Sequence, residues 1–194
     1  MPMLTYAGFT KMKKRCCLIL CIVGWGYPAY AEKTLPIDDP DALRAAIENS
    51  CEPIQIRGII HCKRNEAFKQ LIGEDFMSDD SPYQRVLSHI ETGDDRWLKV
   101  ADALACCVDA GTSETLGISI AVALTHAPET ILRRTPVNKL KSVCTVPFWE
   151  PTKEQFEAHV KAVKTALKLV KDSALQDKRG ECLKLIDARG VWHE

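Results

Sequence analysis

Residues 81–135 read SPYQRVLSHIETGDDRWLKVADALACCVDAGTSETLGISIAVALTHAPETILRRT, and the punctuation of this stretch decides the fold. Ser81 followed by Pro82 is a cap and a first-turn proline, and Val86, Leu87 and Ile90 recur on one helical face before Thr92-Gly93 stops the run. Asp94 caps a second helix that buries Trp97, Leu98, Val100, Ala101 and Leu104. Asp109-Ala110-Gly111 breaks the chain. Thr112 is then expected to cap a third helix carrying Leu116, Ile118, Ile120, Ala123 and Leu124. Pro128 opens a short fourth helix with Ile131 and Leu132, closed before Pro136.

Helices this short, joined by turns this tight, pack as antiparallel hairpins. The fold class expected is therefore all-α. The hairpins are either stacked as a short HEAT- or armadillo-like array or folded into a compact orthogonal bundle, and no repeated motif selects between the two.

Downstream, residues 143–151 (VCTVPFWEP) are extended and apolar, since Pro147 and Pro151 exclude helix. Phe148 and Trp149 either pack across the last helices or form an exposed binding edge. Thr152 and Gln155 then make a capping box. A helix to Lys171 buries Phe156, Val160, Val163, Leu167 and Val170, with Lys161, Lys164, Lys168 and Lys171 as a basic stripe beside that face. A last helix over 173–188 buries Leu175, Cys182, Leu183 and Ile186, which completes a C-terminal helical hairpin. Upstream, Asp39-Pro40 is another helix entry ahead of Leu43, Ala46 and Ile47. Residues 54–60 are ambiguous between strand and helix, Ala67, Phe68, Leu71 and Ile72 repeat at helical spacing, and 75–81 is a polar loop.

The N-terminus is of a different kind. Lys11, Lys13, Lys14 and Arg15 precede an apolar run over 16–23, and Ala29-Tyr30-Ala31 places small residues at the two positions a signal peptidase reads. An apolar run of about ten residues cannot cross a hydrocarbon layer that needs roughly 20. Residues 1–31 are expected to be a cleaved signal peptide with its physiological start at Met12, leaving 32–194 as a single helical domain. Leu20 before Cys21 argues against a lipoprotein signal, which carries a small residue there. The expected location is periplasmic, with secretion second, and no stable membrane span remains after cleavage. Residues 1–31 hold four cations and no anion, so a chain of 26 basic and 26 acidic residues becomes mildly acidic on cleavage. That excess disfavours nucleic acid as the partner.

Cleavage also removes three of nine cysteines, leaving Cys51, Cys62, Cys106, Cys107, Cys144 and Cys182. Six thiols in an exported chain suggest disulfides, and spacing favours Cys51–Cys62 as a local loop and Cys144–Cys182 across the C-terminal hairpin. Cys106-Cys107 is the odd pair, either two small apolar residues near a helix end or a redox pair, and no Cys-x-x-Cys motif accompanies it.

No Gly-x-Ser-x-Gly, P-loop, His-Glu-x-x-His or Gly-x-Gly-x-x-Gly motif occurs, and His61, His89, His126, His159 and His193 stand outside any recognisable site. No catalytic residue, cofactor or metal is expected on this reading. Thr92-Gly93-Asp94 with Trp97-Leu98, Asp109-Ala110-Gly111 through Leu124, Val143-Cys144 and Pro147-Phe148 together resemble small exported helical proteins of Gram-negative bacteria, over residues 91–151. The resemblance implies a bacterial envelope protein and no particular activity, and Cys106-Cys107 departs from its pattern. The function expected first is a non-enzymatic periplasmic binding or inhibitory protein, such as an immunity protein against an envelope-acting toxin. Its partner would be another envelope protein, engaged through Phe148, Trp149 and the lysine stripe. The alternatives are an envelope enzyme or thiol-redox factor using Cys106 and Cys107, and a structural accessory of a secretion or envelope complex.

Overall fold

Aspartate, serine and threonine caps set most of the helix starts. The computed structural model describes residues 34–56, 59–62, 65–73, 78–148 and 150–189, with side chains other than those of 53–62 and 189. The expected signal peptide, Trp149 and His193 lie outside the described residues. Thr34–Glu194 packs as one unit. The helices are α1 (Pro40–Ser50), α2 (Glu66–Ile72), α3 (Pro82–Glu91), α4 (Asp95–Leu104), α5 (Ala110–Ala123), α6 (Pro128–Arg134), α7 (Leu140–Val143), α8 (Lys153–Lys168) and α9 (Gln176–Arg189). A 3-10 turn, Val137–Lys139, leads into α7, and another, Ser173–Leu175, leads into α9.

The ambiguous stretch after α1 is a hairpin, β1 (Pro53–Ile56) and β2 (Ile59–Cys62), antiparallel with Pro53 opposite Cys62 and Ile56 opposite Ile59. Alternating isoleucines on a run too short for a helix favour the strand. The architecture is otherwise all-α.

Asp39, Ser81 and Asp94 cap their helices through side-chain oxygens, as expected. The third helix of the central stretch begins earlier than its sequence suggests. Asp109 is the cap, Ala110 and Gly111 are already helical, and Thr112 sits at the third helical position, closing a reciprocal capping box with Asp109. The Thr112 backbone amide draws the Asp109 carboxyl's pKa down, and the Thr112 hydroxyl, which donates to it as well, adds to that effect. Thr152 and Gln155 form the second capping box.

α1 packs on α2 and α4, and α3 on α4 and α5. From there contacts run in a row, α3 to α5 to α7 to α9, with α8 laid on α9. One continuous core unites them, including Tyr83, Leu104, Leu124, Leu140, Leu167 and Ile186. Alternate-helix contacts belong to a stacked array, while α1 folding over onto α4 closes one end as a bundle does. The turn between α3 and α4 depends on Gly93, whose φ is +75°. A Cβ there would stand 2.6 Å from the Ala127 Cβ, so the site excludes any side chain.

α8 ends at Lys168 rather than Lys171, and Leu183 is only partly buried. Both misses come from helix-end fraying and from a broad apolar face on a short helix. Among the described residues no helix is long and apolar enough to cross a membrane.

Candidate functional site

The expected interaction surface begins where α7 stops. Cys144 caps α7 and is bridged to Cys182 on α9, both sulfurs fully buried. The chain then runs extended through Thr145, Val146, Pro147 and Phe148. His159, on α8 and 7% exposed, lies with Nε2 3.2 Å from the Thr145 carbonyl oxygen. A carbonyl only accepts, so Nε2 carries the proton in this contact. Burial pushes the His159 pKa down, against a smaller upward effect of the Thr145 bond, and the ring is therefore held neutral. Phe148 stands edge-on to that ring at 5.3 Å and is 40% exposed. Glu150 then takes φ +49°, a left-handed conformation that non-glycine residues rarely adopt.

Between this segment and α5 lies a groove of about 290 Å³, walled by Glu114, Gly117 and Ile118 on one side and Val146, Pro147 and Phe148 on the other. Proline at 147 and the absence of a helix leave the segment without a repeating backbone ladder. The disulfide at Cys144 and the His159 contact at Thr145 hold its start in place instead, and the same histidine ring meets Phe148 edge-on.

The lysine stripe divides. Lys161, Lys164 and Lys168 line a groove of about 390 Å³ with Phe156, Val160 and Thr165, whereas Lys171 lies past the end of α8. Lys164 is drawn to Asp187 of α9 at 2.5 Å. Arg133 and Arg134, adjacent cations at the end of α6, are both paired with carboxylates. Arg133 pairs with Asp172 at 2.8 Å, and Arg134 forks between Asp95 and Asp102. Lys99 and Arg134 hold the Asp95 carboxyl down at about 2.

Cys51 is disulfide-bonded, while the side chain of Cys62 lies outside the described residues. Cys106 and Cys107 follow α4 in a turn and are in no disulfide, their sulfurs 3.7 Å apart. Burial, with the neighbouring Cys106 sulfur, pushes the Cys107 thiol up to about 12. Beside it lies Asn65, 6% exposed, which caps α2 through Phe68 and accepts from Ser50 Oγ. Its amide nitrogen donates to the Ile47 carbonyl and to Cys107 Sγ. No role was assigned to Asn65 from the sequence, although asparagine is a common cap residue, and nothing local announces its link to a cysteine 42 residues on.

Sequence reading also missed a pocket of about 340 Å³ under α4, lined by Leu98, Ala101, Ile120, Ile131 and Val143, with Arg134 and Lys139 among its polar residues. It is assembled from α4, α5, α6 and α7, so no local pattern announces it.

Among the described residues no cluster of three or more His, Cys, Asp or Glu is gathered for a metal. His89 stacks on Trp97 at 4.4 Å, His126 is exposed, and His159 makes its contact to a backbone carbonyl. Comparison of the chain with protein-family models, with curated proteins and with solved structures finds no match.

Proposed function

We propose that this chain is a non-enzymatic binding or inhibitory protein of the bacterial envelope, exported to the periplasm, whose partner is another envelope protein. A toxin-neutralising immunity protein is one concrete form. The observation that supports this reading is Phe148: a large apolar side chain left 40% exposed on a segment that is itself tethered at Cys144 and Thr145. Exposed aromatics on rigid backbone are the usual anchors of protein interfaces, because little conformational entropy is lost when they are covered. The adjoining groove gives a partner side chain a place to enter.

The test is affinity capture from the envelope fraction with the wild type and with Phe148→Asp. A stoichiometric protein recovered by the wild type and lost with the variant supports the reading; equal recovery by both removes the surface from it.

The thiol-redox alternative draws less support. A redox cysteine acts as thiolate, and a thiol pushed up to about 12 supplies almost none at neutral pH.

A further inference from the structure

The pocket under α4 takes no part in the envelope-binding reading, and its walls are of two kinds. One is aliphatic: Leu98, Ala101, Ile131 and Val143 are buried there, and Ile120 is partly buried. Among the described residues no aromatic side chain lines it, so a flat ring would find nothing to stack on. Its volume of about 340 Å³ lies at the small end of the range for ligand pockets. At roughly 30 Å³ for each water-sized group, such a space takes about eleven non-hydrogen atoms.

The other wall is polar, and it carries one more cation than it balances. Arg134 forks between Asp95 and Asp102, and Lys99 pairs with Asp95 as well. Those two cations and two carboxylates cancel. Lys139, in the 3-10 turn that leads into α7, is exposed and joins no ion pair among the described residues. A guanidinium has five N–H donors, and the bonds from Arg134 to its two carboxylates engage two of them. The pocket therefore sets an aliphatic wall beside an unmatched ammonium and a guanidinium with donors to give.

We propose that this pocket binds a small aliphatic carboxylate, its chain against Leu98, Ile120, Ile131 and Val143 and its head toward Lys139 and Arg134. The one surplus positive charge matches one negative charge. A phosphate dianion would set its second charge against Asp102, which also lines the pocket. A neutral alcohol would gain nothing from Lys139. Branched side chains without rings suit a saturated chain, and octanoate is of the size that fills the volume. Binding is non-covalent. The site shares none of the residues Cys144, Thr145, Phe148 and His159 on which the envelope-binding reading rests, so either can fail without the other.

Octanoate is the probe, titrated into the full chain and followed by methyl NMR of isoleucine, leucine and valine. Site-resolved signals separate the pocket from any binding to the apolar run over 16–23. The expected result is saturable shifts at Leu98, Ile120, Ile131 and Val143, and none at Ile47 or Leu167, which are buried outside the pocket. Affinity should rise about fourfold with each methylene from butanoate to octanoate. It should stop rising by dodecanoate, whose chain outgrows the cavity. Lys139→Glu should weaken octanoate roughly tenfold and leave octan-1-ol unchanged. Shifts spread evenly over the core methyls overturn the proposal, as does no saturation by about 10 mM. So does a variant that weakens acid and alcohol alike. If Lys139→Glu misfolds by circular dichroism, the wild type decides alone: an alcohol bound as tightly as the acid, or affinity flat with chain length, overturns it.

Discussion

The corner where α1 meets α2 and the corner where α7 meets α9 face the same physical problem, and both carry a disulfide-bonded cysteine, but they differ in what is added to it. At the first, helix ends converge and leave backbone groups without intrahelical partners. One buried amide, Asn65, takes up the Ile47 carbonyl and the Phe68 amide, and reaches Ser50 and Cys107 with its remaining capacity. At the second, the chain leaves a four-residue helix and runs extended. A helix cap cannot hold extended backbone, so the Cys144–Cys182 bond and the His159 contact do so instead. The first arrangement orders a junction and ties it to the turn after α4 through Cys107. The second fixes a segment while leaving its aromatic side chain outside. At the first corner a hydrogen-bonded amide works beside a disulfide at Cys51, the residue that ends α1, and at the second a disulfide and one histidine contact hold backbone that is rigid and still exposed.

The comparison can be broken at either corner. Replacing Cys144 and Cys182 with serine should have the largest effect. A cross-link spanning 38 residues contributes about 4 kcal/mol by chain entropy, read as a lower urea midpoint with a steeper slope, since the uncrosslinked denatured chain exposes more surface. Gly93→Ala, in the turn between the corners, should cost about 3 kcal/mol. A left-handed φ and a Cβ 2.6 Å from Ala127 both oppose it. Asn65→Ala should cost about 2 kcal/mol, through the lost α2 cap and the loss of the shorter of two hydrogen bonds to the Ile47 carbonyl, which keeps the Ser50 hydroxyl at 3.2 Å. Its effect should stay at the first corner, with hydrogen exchange accelerating in α2 and not in α9.

The smallest effect concerns pH. The pKa of His159 is lowered on folding, so below about 6.5 the unfolded chain takes up a proton that the folded one refuses, and stability falls as pH falls. His159→Gln should flatten the dependence of melting temperature on pH between about 7 and 5. An unchanged slope would show that the ring titrates as freely folded as unfolded.

Helix starts were legible because caps are local. Asp39, Ser81, Asp94 and Thr152 each announce a helix within four residues. Asp109 was misread for Thr112 because alanine and glycine after it look like a break, and only the reciprocal bonding places them inside the helix. The hairpin could be narrowed but not settled, since four-residue apolar runs carry too little periodicity. The Cys144–Cys182 bridge was favoured by spacing across the C-terminal hairpin and supported by a cysteine on the inward face of the last helix. Of the candidate interaction surface, Phe148 was readable as an apolar residue on a proline-bounded segment. Its exposure was not, because that depends on where α5 and α8 stop. Three of the four stripe lysines share a groove, and the fourth falls beyond the helix, a boundary that sequence resolves only to a turn.

The proposal that the tethered segment is a binding edge meets its most direct test in a photo-crosslinking residue placed at position 148 in the exported chain, with the same residue at exposed position 169 as the control. The account predicts one discrete crosslinked envelope protein from position 148, lost when Cys144 and Cys182 are both serine, and none from position 169. Crosslinks of the same pattern from both positions, or no discrete product from 148, would contradict it.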